Sequence, residues 1–277
     1  MGSGAGADRN APIGVFDSGV GGLTVAREIM RQMPQERIVY FGDTARVPYG
    51  SKSRETILRY SRQIIRFLMT RQVKAIVIAC NTASAYALET VEQEFDLPVI
   101  GVINAGARTA VRATRNGRIG VIGTEGTIGS GIYTEVMQRM RPDIQVIGKS
   151  CPLFVPLVEE GLLHDSVTDE IASRYLAELK RHFIDTLVLG CTHYPLLRST
   201  LGRLMGNDVV LVNPAYETAI ELKQLLESRG LSCEPEGGEG EKYQFYVSDL
   251  AEKFTAFATS ILPDAVRETR KINIEEF

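Results

Sequence analysis

Residues 76–84 read IVIACNTAS, and residues 187–195 read LVLGCTHYP. Each is a short apolar run ending in a small residue, followed by a cysteine and a set of polar groups. A run of this length, bounded by small and polar residues, is a buried strand. Its lack of polar alternation means that both faces of the strand are covered. Each cysteine therefore sits at the carboxyl tip of its own strand, the place where open α/β sheets present their ligands.

Working outward, further strand candidates occupy 13–16, 38–41, 75–79, 99–102, 118–122, 145–148, 186–189 and 209–212. Helical spacing of apolar residues runs between them over 23–33, 53–71, 83–95, 132–140 and 168–182. Strands alternating with helices of this length mean βαβ units and parallel sheets, so the fold class is α/β. The chain also repeats itself. IGVFDSG at 13–19 resembles IGVIGTEG at 119–126, Val47-Pro48 recurs as Val155-Pro156, and Cys80 recurs as Cys191, at offsets of 106, 108 and 111 residues. Two similar lobes are expected, each with a central, mainly parallel sheet flanked by helices, and an active site in the cleft between them. The expected boundaries are a flexible leader at 1–11, a first lobe of 12–102 plus 213–277, and a second lobe of 103–212. The charged, glycine-rich EPEGGEGEK at 234–242 reads as a loop, and 249–262 as an amphipathic helix packing back on the first lobe. Met30, Met33, Met137 and Met140 fall at helical spacing and read as core.

The bulk properties narrow the function. The 277 residues are 44% hydrophobic with a net charge of −3, and no run approaches the ~18 apolar residues that cross a bilayer. Scattered charges without a basic block argue against nucleic acid as a partner. The leader has no hydrophobic signal region, and four cysteines are too few for a disulfide framework, so a reducing cytoplasm is the expected location.

Three stretches bear on chemistry. FDSGVGGLTV at 16–25 is a strand-to-helix turn loosened by glycines, which either cradles an anion or is simply tight, with Asp17 or Ser18 as a cap. Asp17 would repel phosphate, and neither the Walker nor the dinucleotide spacing is met. The two cysteine stretches carry Asn81 and Thr82 after Cys80, and Thr192 and His193 after Cys191, polar groups that a core would leave without partners. A thiol at a helix N-terminus has a lowered pKa, and both cysteines are expected to gain from this. Cys151 and Cys233 read as structural, as do His164 and His182.

Two thiols on separate strands serve several chemistries unequally. A redox dithiol needs contact, commonly Cys-x-x-Cys, and three histidines in the whole chain make zinc a poor fit, so no metal is expected. A cysteine hydrolase built on Cys191 and His193 leaves Cys80 unexplained. Proton removal by one thiolate and delivery by an opposing thiol uses both, and inverts a stereocentre.

DSGVGGLTV, GDTARVPYG, ACNTAS, CPLFVPLVEEG and GCTHYP resemble, in order, the signature stretches of the bacterial glutamate racemases, within the aspartate/glutamate racemase family. The resemblance runs from about residue 13 to about residue 270. It implies L- to D-glutamate interconversion for peptidoglycan, without a cofactor, by a cytoplasmic enzyme that is usually a homodimer. It implies that Cys80 is the base toward D-glutamate and Cys191 the base toward L-glutamate. Asp17 would assist Cys80, and His193 and Glu159 would assist Cys191. Ser18, Pro48, Tyr49, Gly50, Asn81, Thr82, Thr124, Thr127 and Thr192 would hold the substrate, with Tyr49 either a floor or a lid. An aspartate racemase of the same two-thiol type is the nearest alternative.

Overall fold

Continuously apolar strands are stable only between two covering layers, and the chain supplies those layers twice. The structure, a computed structural model, describes residues 8–234 and 241–277. Its strands are β1 (Ile13–Asp17), β2 (Ile38–Gly42), β3 (Ala75–Ile78), β4 (Val99–Gly101), β5 (Arg118–Gly123), β6 (Gln145–Ser150), β7 (Thr186–Gly190), β8 (Val210–Val212), β9 (Tyr243–Val247) and β10 (Thr269–Lys271). The helices are α1 (Leu23–Gln32), α2 (Arg54–Thr70), α3 (Asn81–Glu94), α4 (Val102–Ala113), α5 (Glu125–Gly129), α6 (Ile132–Met140), α7 (Phe154–Glu159), α8 (Ser166–Arg181), α9 (Arg198–Met205), α10 (Pro214–Ser228) and α11 (Ala251–Ile261).

Two all-parallel sheets result. The first runs β10-β9-β2-β1-β3-β4, and the second β6-β5-β7-β8. The four strands from β2 to β4 at one side of the first sheet and all four of the second follow one order, with β1, β2, β3 and β4 matched by β5, β6, β7 and β8. The match reaches the register. Ile13 pairs with Ile38 and Ala75, while Ile119 pairs with Val146 and Thr186. These equivalent residues lie 106, 108 and 111 apart, the offsets of the sequence repeat. Even the tight turn entering each cysteine strand recurs, with Gln72 at φ 55° and Phe183 at φ 52°, again 111 residues apart.

Strand residues alternate between two apolar layers of the first lobe. Ile13, Val15 and Val77 face α1, α10 and α11, whereas Phe16, Ile76 and Ile78 face α2 and α3. Burying each such side chain contributes ~1.5–3 kcal/mol, so an aspartate at Ile78 would break the sheet. Helix starts follow local chemistry. Ser53, Thr124, Asp165 and Asn213 each accept a backbone N–H of the first helical turn, and Pro214 occupies the first position of α10.

Some expectations need correction. The strand expected over 99–102 ends at Gly101, and Val102 opens α4, a helix not among the sequence expectations. Its buried face joins Val102 and Ile103 to Ala105, Gly106, Ala107 and Ala110, small residues that let α10 and the second sheet approach, and no side-chain cap marks where the strand passes into the helix. Met140 is 42% exposed at the end of α6, not core, although Met33 and Met137 are buried. Of the leader, residues 1–7 lie outside the described residues. Arg9 is anchored, because its carbonyl accepts from Lys74 Nζ at 2.6 Å. Most of the 234–242 loop, residues 235–240, also lies outside the described residues.

Candidate active site

The carboxyl ends of the central strands of both sheets open onto one cavity of about 370 Å³, within the range of roughly 300–1,000 Å³ typical of ligand sites. Cys80, at the end of β3, and Cys191, at the end of β7, both line it. The rest of the wall comes from the tips of neighbouring elements: Ser18 after β1, Pro48, Tyr49 and Gly50 after β2, Asn81 and Thr82 from α3, and Thr124 after β5. Thr192, His193 and Glu159 line it as well. No Lys or Arg is among the described residues that line the cavity. An anionic ligand there meets hydroxyls, amides, helix N-termini and the His193 ring, beside the carboxylates of Glu125 and Glu159.

Two of the residues implied by the resemblance stand one layer back from this wall. Thr127 is buried behind it and touches Thr82 Oγ1 at 3.2 Å and Thr124 Oγ1 at 3.0 Å. Thr82 and Thr124 are themselves 2.8 Å apart, so three hydroxyls from the two lobes form a closed ring. Asp17 is fully buried. Its Oδ2 accepts from Gly19 N at 3.0 Å, and its Oδ1 accepts from Thr192 Oγ1 at 3.4 Å. The glycine-rich turn therefore directs amides onto its own aspartate rather than onto a phosphate. Its glycines serve close approach: a Cβ on Gly21 would lie 2.3 Å from Thr192 Oγ1 and 2.5 Å from His193 Nδ1. Tyr49 is 1% exposed and donates its phenol proton to the Asp43 carboxylate, which makes it a floor and not a lid.

The surroundings of the two sulfurs differ. Cys80 is the N-cap of α3 and accepts from Ala83 N at 3.5 Å, while its thiol donates to Ser18 Oγ at 3.8 Å. The lowered pKa expected from this helix is overturned. Burial pushes the Cys80 thiol up to about 12, the Asp17 charge adds to the rise, and the Ala83 amide and Ser18 hydroxyl only partly oppose it. Cys191 is followed by a turn of 3₁₀-helix over Tyr194–Leu197, not by an α-helix N-terminus. Its sulfur lies 3.8 Å from His193 Nδ1, and His193 Nε2 lies 3.2 Å from Glu159 Oε1.

Burial alone would push the His193 pKa down. The hydrogen bonds to Cys191 and Glu159, with the charges of Cys191 and Asp17, outweigh it and raise the pKa to about 10, so the ring is an imidazolium at neutral pH. The same hydrogen bond holds the Glu159 carboxyl below the usual carboxylate range against its partial burial. Asp17 moves the other way: burial raises its pKa, and the His193 charge and the amides of Gly22, Gly19 and Ser18 oppose the rise.

Cys151 is buried with its thiol on Lys149 O at 3.6 Å, and the exposed His164 and His182 are remote from the cavity. Sequence reasoning missed the apolar stretch of wall made by Val47, Pro152, Val155 and Pro156. Pro152, Val155 and Pro156 lie in CPLFVPLVEEG and Val47 in GDTARVPYG, so the motif stretches held their signal. It also missed Tyr133, whose hydroxyl donates to Asn81 Oδ1 at 2.7 Å. Nothing in its local sequence marks that residue.

Comparison with known proteins agrees with this geometry. Residues 13–219 match the family model described as Asp/Glu/Hydantoin racemase. The glutamate racemase of Geobacter metallireducens is 48% identical over 263 residues, covering 95% of this chain and 97% of that one. Among solved structures, a glutamate racemase isoform from Bacillus anthracis superposes with a TM-score of 0.91 at 39% identity, covering 95% of this chain and 98% of that one. A Francisella tularensis glutamate racemase in complex with D-glutamate gives 0.89 at 37% identity, covering 97% of this chain and all of that one. With two cysteines on one cavity and similarity running nearly end to end, this chain belongs to the Asp/Glu/hydantoin racemase family and is an amino-acid racemase.

Proposed function

We propose that this racemase interconverts L- and D-glutamate by proton transfer at Cα between Cys80 and Cys191. The observation that carries the reading is that both cysteines, from different sheets, line one small cavity. The glutamate racemases at 48% identity, and the relative whose structure holds D-glutamate, support glutamate as the substrate.

In the L-to-D direction Cys191 takes the Cα proton as thiolate, and the Cys80 thiol delivers its own proton to the opposite face of the carbon. The enzyme is then left with the proton on Cys191 and the charge on Cys80, and the D-to-L direction runs the same two transfers backward. The Cα–H bond is a weak acid, so charge developing on the substrate carboxylate must be stabilised as the proton leaves. Asn81, Thr82, Thr124 and Thr192 supply neutral donors for it. Neutral donors fit that task, because a strong cation would stabilise the resting substrate as much as the transition state. An ordinary thiol is only ~3% ionised at pH 7, so the imidazolium of His193 and the carboxylate of Asp17 act by setting where the single thiol charge resides. In the cell we place the activity in the cytoplasm, in a homodimer, supplying D-glutamate for peptidoglycan and so for cell shape.

The test is incubation with L-glutamate in heavy water, following optical rotation and deuterium at Cα. Loss of rotation with one deuterium per turnover is expected, and unchanged rotation at high enzyme concentration would sink the proposal. Parallel assays with aspartate decide the substrate. One arrangement favours a second reading, since Glu159, His193 and Cys191 form a hydrogen-bonded chain like that of a cysteine hydrolase. A hydrolase would keep most of its activity in Cys80→Ala, whereas a two-thiol racemase would lose nearly all of it.

A further inference from the structure

Tyr133 belongs to none of the motif stretches, yet it touches the neighbours of both cysteines. It is the second residue of α6 and is 3% exposed, and its ring packs with Ile119, Val121 and Val188 of the second sheet. Gly190, the residue before Cys191, leaves room for that ring: a Cβ there would lie 3.3 Å from Tyr133 Cε2. The phenol reaches across to the other lobe and donates at 2.7 Å to Oδ1 of Asn81, the residue after Cys80.

A buried phenol proton needs an acceptor, and leaving it without one costs about 1–3 kcal/mol. Turning the Asn81 amide over would remove the acceptor oxygen, so the phenol selects one of the two amide orientations. In that orientation Nδ2 carries two donor hydrogens that no described residue accepts, on a side chain that is 4% exposed and lines the cavity. Once the Cα proton leaves, the substrate carboxylate gains charge, and a donor already aimed at it contributes more to the transition state than to binding.

We propose that Tyr133 is a positioning residue for the racemisation. Its hydroxyl locks the Asn81 amide with Nδ2 toward the substrate carboxylate, and its ring, wedged against Gly190, ties that orientation to the strand carrying Cys191. The inference rests on the two-thiol reading of the cavity, with Asn81 as a substrate donor.

Tyr133→Phe removes a single oxygen and keeps the ring. Its kcat on glutamate is expected to fall about tenfold, with KM within about twofold of wild type. In an Asn81→Ala background the same change is expected to do nothing further, because two residues acting through one group do not add. A Tyr133→Phe enzyme with wild-type kcat would overturn the proposal. So would losses that multiply in the double variant, the result expected of a residue that supports only the packing of α6. Should Tyr133→Phe be insoluble, Tyr133→Met, which also lacks the hydroxyl, takes the same two readings. A wild-type enzyme inactive on glutamate would instead refute the parent reading, so the two failures are distinguishable.

Discussion

The Cys80 and Cys191 sites are topological twins with opposite electrostatics. Both cysteines follow an inner strand of a parallel sheet, β3 beside β1 and β7 beside β5, and equivalent registers place them there. Around Cys80, however, lie a helix N-terminus, a serine hydroxyl and a buried carboxylate, and the thiol is pushed up to about 12. Around Cys191 lies an imidazolium backed by a carboxylate. Duplication of the fold thus sets where each sulfur goes, while residues that differ between the two lobes give each its own charged neighbours. A reaction that needs one thiolate and one thiol at the same moment is served by that asymmetry.

The strongest way to break the comparison is to remove one twin. Cys80→Ala and Cys191→Ala are each expected to lower racemisation by ~10³-fold or more, near the upper part of the range for a lost general acid–base group. They should differ in hydrogen exchange: Cys80→Ala is expected to exchange only the Cα hydrogen of L-glutamate, and Cys191→Ala only that of D-glutamate. Exchange of both enantiomers by either variant, read by proton NMR in heavy water, would contradict two-sided chemistry.

Next comes the cation on the Cys191 side. His193 keeps its proton up to about pH 10 in the folded chain, against ~6.5 when unfolded. The alkaline limb of the kcat/KM profile is therefore expected near pH 10 in wild type and absent in His193→Asn, whose kcat should fall ~10²-fold. The same shift works on stability. The imidazolium contribution is fully present below pH ~6.5 and lost as pH rises through about 10. The Tm gap between wild type and His193→Asn should accordingly narrow from pH 6 to pH 10, and a constant gap would count against the ion pair.

A smaller effect is expected from Asp17→Asn, which removes a charge that raises the Cys80 pKa. Alkylation of Cys80 by iodoacetamide should then begin at lower pH than in wild type, with activity reduced ~10-fold. Unchanged alkylation would mean that burial alone sets the Cys80 thiol. The smallest is Glu159→Gln. It removes a hydrogen bond that raises the His193 pKa, so the alkaline limb should move below 10 with only a few-fold loss of kcat. An unmoved limb would leave Cys191 as the partner that matters.

Much of this was legible in the residues themselves. Strands β1, β2, β3 and β7 were readable because both of their faces are buried, which writes an uninterrupted apolar run into the chain. Helix α4 was not, because β4 passes straight into it with no turn and no side-chain cap to mark where one ends and the other begins. Met140 was misread because spacing cannot tell the last turn of a helix that is covered from one that is exposed. At the site, motifs named most of the polar residues lining the cavity but could not separate Thr124 at the wall from Thr127 behind it.

The amino-acid sequence by itself determined the α/β class, the twofold repeat and the chemical identity of the two groups at the strand tips, since periodicity and residue type are local properties of the chain. Only the tertiary structure decided that both sulfurs open into one cavity and that the Cys80 thiol rises where its helix alone would lower it. It alone also decided that an imidazolium stands on the other side and that Tyr133 links the flanks of both cysteines. Burial and Coulomb interactions depend on distances between residues far apart in the chain, as between Asp17 and His193, and such distances exist only once the chain has folded.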